Sequence, residues 1–264
     1  MRWIFLRGLV RESRHWGGFP EIFREHVAGA EVIALDLPGN GAFHDRESPL
    51  TIGDMVAHCR RALLERGLSP PFGVLALSLG GMVATEWASR YPGEIEACVL
   101  LNTSMRPYNP LFHRLQPQNY PVLLRLLFEP SDAAVEKNIL AMTSNMHGAE
   151  PPLLADWIRW RKECPVSRRN ALRQLLAAAR YRAPRQAPAV PLLLLASAGD
   201  RLVDHRCSSR IAVVWRSELI MHPAAGHDLP LDAPGWVAEA VAGWLASHAV
   251  NTIGRWPSHP PTTS

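Results

Sequence analysis

Short apolar runs alternate with longer stretches of helical period along most of this chain. The runs at 3–6, 31–35, 72–77, 97–101, 191–196 and 218–221 read as strands. Val74-Leu-Ala-Leu77 and Leu192-Leu-Leu-Leu-Ala196 are apolar throughout, without the polar alternation of a half-exposed sheet. Strands buried on both faces read this way. Between them, helical spacing runs through 51–66, with Thr51 placed as an N-cap and Gly67 as a stop. Residues 80–90 and 234–248 form two further helical stretches, the second with Pro234 at its start. Strands that alternate with helices predict a mostly parallel sheet of about six strands flanked by helices.

The alternation stops between residues 104 and 189. Leucine-rich helical patterns occupy 120–128, 133–145, 152–162 and 167–181, several of them separated by prolines. Some 85 residues of helix between two sheet strands predict a helical cap laid over one edge of the sheet. The expected organisation is therefore a core of 1–103 and 190–250, a cap of 104–189, and a flexible proline-rich tail of 251–264.

Composition narrows the picture only a little. With 47% hydrophobic and 20% charged residues in 264, the chain is ordinary for a globular domain and argues against disorder. No apolar stretch reaches the roughly 20 residues of a membrane span, and the N-terminal apolar run is too short for a secretion signal. A cytoplasmic protein is expected. Four scattered cysteines, Cys59, Cys98, Cys164 and Cys207, form no metal or redox spacing and read as inert thiols. The net charge of +4 draws heavily on 159–185, where Arg159, Arg161, Lys162, Arg168, Arg169, Arg173, Arg180, Arg182 and Arg185 face one acid, Glu163. That stretch is either a solvated helix face or a docking surface for an anionic partner. No recognised motif accompanies it, so nucleic acid is not an expected partner.

The chemistry starts at Leu75-Ala-Leu-Ser78-Leu-Gly80-Gly81, a hydroxyl at the end of an apolar strand with two glycines behind it. A serine between a strand and a helix, with small residues two positions to either side, is the pattern of a nucleophile elbow. Ala76 and Gly80 are those small residues, and Gly81 lets the helix lie close to its neighbour. The helix start brings positive potential and the free N–H of Leu79. Such elbows are followed in chain order by an acid and then a histidine. Asp200 and Asp204 follow the strand at 191–196, and His227 follows the strand at 218–221. All lie past the carboxyl ends of strands, where open α/β sheets assemble their sites.

These stretches resemble the α/β-hydrolase family over roughly residues 2–249, and within it the capped serine carboxylesterases. Asp36-Leu-Pro-Gly-Asn-Gly41 is similar to the family's D-x-P-G-x-G loop, Ala76–Gly80 to its elbow, Gly199-Asp200 to its acid loop, and Ala225-Gly-His227 to its histidine loop. The resemblance implies a Ser78–His227–Asp200 triad and favours Asp200 over Asp204, because the acid directly follows the glycine. It also implies an oxyanion hole from the N–H groups of Leu9 and Leu79, and no metal or organic cofactor. The family commonly has His-Gly where this chain has Arg7-Gly8. Arg7 is expected either to pair with a carboxylate or to touch substrate. Trp16 either lines the pocket or opens a helix, and Asp228 is expected in a turn or at the surface. The family's first strands have no counterpart here.

The implied activity is hydrolysis of a carboxylic ester or thioester, with a small-molecule or carrier-linked acyl substrate. C–C bond hydrolysis, lyase or acyltransferase chemistry on the same triad stays open, as does a ligand-binding member with an idle triad. An interaction protein using the basic stretch is a third class. Oligomeric state leaves no trace in the sequence.

Overall fold

The computed structural model describes residues 1–148 and 151–253. Six strands, β1 (Arg2–Leu6), β2 (Glu31–Leu35), β3 (Phe72–Leu77), β4 (Ile95–Leu101), β5 (Leu192–Ser197) and β6 (Glu218–His222), form one sheet in the order 2-1-3-4-5-6. Every neighbouring pair is parallel. The helices are α1 (Phe19–His26), α2 (Ile52–Glu65), α3 (Leu79–Arg90), α4 (Leu111–Arg114), α5 (Tyr120–Leu126), α6 (Asp132–Thr143), α7 (Pro151–Glu163), α8 (Arg168–Arg180), α9 (Arg206–Trp215), α10 (Leu229–Asp232) and α11 (Pro234–Ile253).

The apolar strands are explained by two cores, one on each face. Successive side chains point to opposite faces. Ile4, Leu6, Val74, Ala76, Cys98, Leu100 and Leu194 therefore pack against Met55, Cys59, Val83, Trp87 and Ile211 of α2, α3 and α9. Trp3, Phe5, Leu75, Leu77, Val99, Leu101 and Leu193 pack on Phe19, Phe23, Val237, Val241 and Trp244 of α1 and α11. A strand covered on both sides has no solvent face to mark with polar residues, which is why all six positions of β3 and of β5 are buried.

Helix ends follow local chemistry. The Thr51 side chain accepts from the Asp54 N–H at the start of α2, Ser131 caps α6 and Ser167 caps α8. Helices α1, α4, α9 and α10 have no counterpart among the predicted elements. The tail expected at 251–264 begins inside α11, and residues 254–264 lie outside the described residues. Burial pushes the thiols of Cys59, Cys98 and Cys207 up to about 12, which leaves them protonated and unreactive.

Strand order also fixes where a site can form. The chain leaves β1 for β2 on one side, crosses back over β1 to β3, and then continues outward to β4. Neighbouring strands β1 and β3 thus send their following segments in opposite directions, which opens a crevice at their carboxyl ends.

One core histidine makes stability depend on pH. His58 on α2 is buried, edge-on to Phe43 at 4.5 Å between ring centroids. Burial, helped by the charges of Arg46 and Arg61, lowers its pKa to about 4. The unfolded chain, with an ordinary value of about 6.5, takes up this proton first as pH falls. Stability is then lost between about pH 6.5 and about pH 4, and denaturation series on His58→Gln are expected to show a shallower loss over that window.

Candidate active site

Ser78 stands between β3 and α3, at φ 56° and ψ −114°. A non-glycine residue at positive φ is uncommon, and strain of this kind costs about 1–3 kcal/mol. It is enforced by the tightness of the turn. A Cβ on Gly80 would come within 2.8 Å of the Arg7 carbonyl oxygen and closer still to that of Leu6. Only glycine lets α3 start this near to the end of β1. The register that pairs Leu6 with Ala76 carries on past the strands, so that Gly8 lies against Ser78. A Cβ there would sit 3.2 Å from the Ser78 Cβ.

Asp200 and His227 are joined directly. His227 Nδ1 and Asp200 Oδ2 are 2.7 Å apart, with both side chains buried. The other carboxylate oxygen, Oδ1, accepts from the N–H groups of Leu202 and Val203 at 2.8 and 2.9 Å, which fixes the carboxylate plane. Asp204 instead pairs with Arg206, which lowers its pKa to about 2. The Ser78 hydroxyl makes no hydrogen bond among the described residues. A serine Oγ swings about a single torsion, and contacts of this type are often long in unliganded enzymes.

Two chains of contacts hold Ser78 and His227 on the same edge of the sheet. In the first, Ser78 N–H donates to Leu101 O at 2.9 Å. The next residue, Asn102, donates its side-chain N–H to the carbonyls of His227 (2.9 Å) and Gly226 (3.2 Å) and accepts from Ser197 N–H (2.9 Å). In the second, Gly8 lies on Ser78 while Arg7 forks onto Asp228, the residue after His227, at 3.0 and 2.5 Å.

Asp228, expected in a turn or at the surface, stands at the start of α10, and it is 3% exposed and ion-paired. The Arg7 guanidinium also lies over the Trp16 ring, 4.8 Å from its centroid. Trp16 ends the short 3₁₀ turn Ser13–Trp16 and packs on Phe5 and Phe19. Both side chains are thus committed to the interior. Asn102 had no signal in the sequence beyond its place at a strand end. The N–H of Leu79 is the first of α3, one of the donors that a helix leaves without an internal partner. Leu9 follows Gly8 in a turn closed by Arg11 N–H to Gly8 O at 3.3 Å.

Removing one half of a buried ion pair strands the other charge, at a cost of about 3–5 kcal/mol. Arg7→Leu is expected to lower the thermal midpoint by roughly 10 °C. Arg7→Leu combined with Asp228→Leu should recover much of that loss, since no charge is then left unpaired. Calorimetry on the three proteins checks it.

The helical segment between β4 and β5 touches the loops after β1, β5 and β6. Gln116 donates to Asp200 O at 2.9 Å, and Asn145 donates to Gly199 O and Ala224 O at 2.8 and 2.9 Å. Arg11 binds Glu136 of α6 at 2.7 Å and lies over Trp157 of α7. His15 meets the rings of Trp157 and Trp160 edge-on, and burial keeps it neutral well below the usual histidine range. The Asp36 carboxylate of the loop after β2 accepts from Ser13 N–H (2.6 Å) and Ala42 N–H (2.9 Å).

A parallel sheet of this order, with a strained serine at one strand end and a paired acid and histidine at two others, defines a class of protein. The pattern of the alpha/beta hydrolase family matches residues 3–240, and the chain belongs to that family. Over 92 residues it is 34% identical to pimeloyl-[acyl-carrier protein] methyl ester esterase of Chromobacterium violaceum, covering 35% of this chain and 34% of that protein. Over 76 residues it is 36% identical to homoserine O-acetyltransferase of Desulfotalea psychrophila, covering 29% and 17%. The matches thus span about a third or less of those relatives. Among solved structures, a thermophilic esterase from Thermogutta terrifontis superposes with a TM-score of 0.70 at 19% identity, over 94% of this chain and 90% of that one. At that identity the likeness is one of fold. Among the described residues no helix is long and apolar enough to cross a membrane.

Proposed function

We propose that this protein is a serine hydrolase that cleaves a carboxylic ester or thioester through an acyl-enzyme. Ser78 Oγ attacks the carbonyl carbon while His227 takes its proton through Nε2. Asp200 accepts from Nδ1–H, which sets the tautomer and stabilises the imidazolium. The charge that develops on the carbonyl oxygen is received by the N–H groups of Leu9 and Leu79, and one such donor is typically worth about 10²–10³ in turnover. His227 then returns its proton to the leaving alcohol or thiol. Water, activated by the same imidazole, attacks the acyl-enzyme and regenerates Ser78. The observation that carries this reading is the buried 2.7 Å contact between His227 Nδ1 and Asp200 Oδ2, set beside an elbow serine at φ 56°.

The names of the curated relatives fit one chemistry with two outcomes. An esterase passes an acyl group to water, and an acetyltransferase passes one to another acceptor. Hydrolysis is favoured here as the reading that needs no second substrate site. The interaction reading loses ground to the ion pairs of the basic stretch. Arg159 and Arg161 bind Asp156, Asp132 and Glu136, and Arg169 and Arg173 bind Glu47.

A fluorophosphonate probe reports an activated nucleophile directly. The unmodified protein is expected to take up one equivalent, mapped by peptide mass spectrometry to Ser78. Absence of an adduct, together with no turnover of p-nitrophenyl acetate, would overturn the proposal.

A further inference from the structure

The turn that carries the Leu9 N–H is built on an awkward residue. Its third position, Val10, has φ 52°. Turns of this geometry call for glycine there, and a β-branched residue is an outlier. The Gly8 carbonyl and the Leu9 N–H belong to one planar peptide unit. Whatever holds the turn therefore aims the Leu9 N–H.

What holds it lies 164 residues away in sequence. Val10 N–H donates to Gln174 Oε1 at 3.0 Å. Gln174 sits on α8 and is fully buried. Its Nε2 donates to Asn40 Oδ1 at 2.8 Å and to Ser48 Oγ at 3.0 Å. Ser48 Oγ gives its own proton to Pro38 O, so it can only accept from Gln174. The amide cannot be turned over without losing its partners. Asn40 in turn donates to Arg11 O at 3.0 Å, which secures the far end of the same turn.

We infer that Gln174 is a positioning residue for the oxyanion hole: from the helical segment it holds Val10 in the left-handed region and so aims the Leu9 N–H beside Ser78. The inference rests on the acyl-enzyme reading. It gives the helical segment a part in the rate of the chemical step, separate from shaping the pocket. Without the acceptor, the Leu9–Val10 peptide is released, Val10 relaxes toward negative φ, and the turn that fixes the Gly8–Leu9 unit loosens. Substrate still binds, but the oxyanion loses part of its stabilisation.

The test is a kinetic cycle on p-nitrophenyl acetate. Gln174→Met is expected to lower kcat by about 10- to 100-fold with KM within about threefold, less than the full loss of one donor. Adding Val10→Gly should restore kcat to within about fivefold of the unmodified enzyme, because glycine holds positive φ unaided. Ser48→Ala removes a partner of Gln174 but leaves the Val10 acceptor, so kcat should stay within about twofold, the margin of an intact hole. An unchanged kcat in Gln174→Met, or a loss that Val10→Gly does not relieve, overturns the inference.

Amide hydrogen exchange supplies a measurement on the unmodified protein, and it decides the matter where Gln174→Met does not fold. The Val10 N–H should exchange slowly, and rapid exchange overturns the inference whatever the kinetics. Absence of turnover in the unmodified protein would instead strike the acyl-enzyme reading, with the exchange result still standing.

Discussion

Ser78→Ala is expected to reduce turnover of short p-nitrophenyl esters by about 10⁴- to 10⁶-fold, the range for removing a nucleophile that works as one unit with its base. The substitution deletes one oxygen at a half-buried position and leaves the elbow backbone in place. Its effect on the thermal midpoint should be small, and alanine at φ 56° is no more strained than serine. That contrast makes the result informative. A fall in rate with an unchanged melting curve places the chemistry on this hydroxyl. Equal rates for the two proteins in a stopped assay would mean that hydrolysis takes place elsewhere or is not this protein's work.

Asp200→Asn comes next in size, with kcat down by about 10³- to 10⁴-fold. An amide can present its N–H to Nδ1, which then holds the ring as the tautomer with its proton on Nε2. That tautomer cannot take the serine proton. Rising pH should recover little of the loss, because the fault lies in the tautomer and not in the extent of protonation. Leu202 and Val203 still need an acceptor, and the asparagine carbonyl supplies it, so the loop keeps its shape. Asp204→Asn is the companion measurement. Its carboxylate serves exposed Arg206, and kcat should stay within about twofold, as for surface changes remote from a site. A larger effect at 204 than at 200 would reverse the assignment of the acid.

The sequence made one level of organisation plain and hid another. All six strands were legible as short apolar runs between helical stretches, most plainly β3 and β5, where burial on both faces leaves an unbroken apolar signature. That Ser78, Asp200 and His227 stand just past strand ends was legible because each lies in a local pattern tied to such a strand. The partnerships that hold the site together were not. Arg7 meets Asp228 across 221 residues, Asn102 meets His227 across 125, and Val10 meets Gln174 across 164. No period or spacing connects such pairs, and a polar side chain looks the same in sequence whether it faces water or a buried partner. Asp228 reads as a turn or surface residue for that reason.

Helices α1, α4, α9 and α10 escape the sequence pattern for a different cause, and α4 and α10 are only four residues each. The chain of α1 is only eight residues long, and in α9 exposed Val213 and Val214 interrupt the apolar period that Ile211 and Trp215 would otherwise show. The arginine-rich stretch reads as unbalanced charge because its counter-ions, Glu47, Asp132, Glu136 and Asp156, lie outside 159–185.

Strands β4 and β5 are immediate neighbours, with Leu101 beside Leu195, yet about ninety residues of chain separate them. The sheet asks of that long excursion only that it return one strand length away. Loop-closure entropy grows slowly with length, so excursions of very different size cost the core nearly the same. Such a scaffold lets evolution, or an engineer, exchange the whole excursion as a cassette. Any replacement must still present an amide oxygen to the backbone at residue 10, beside the contacts that Gln116, Asn145 and Glu136 make to the other loops, and these few contacts set the grammar for swapping specificities on this frame.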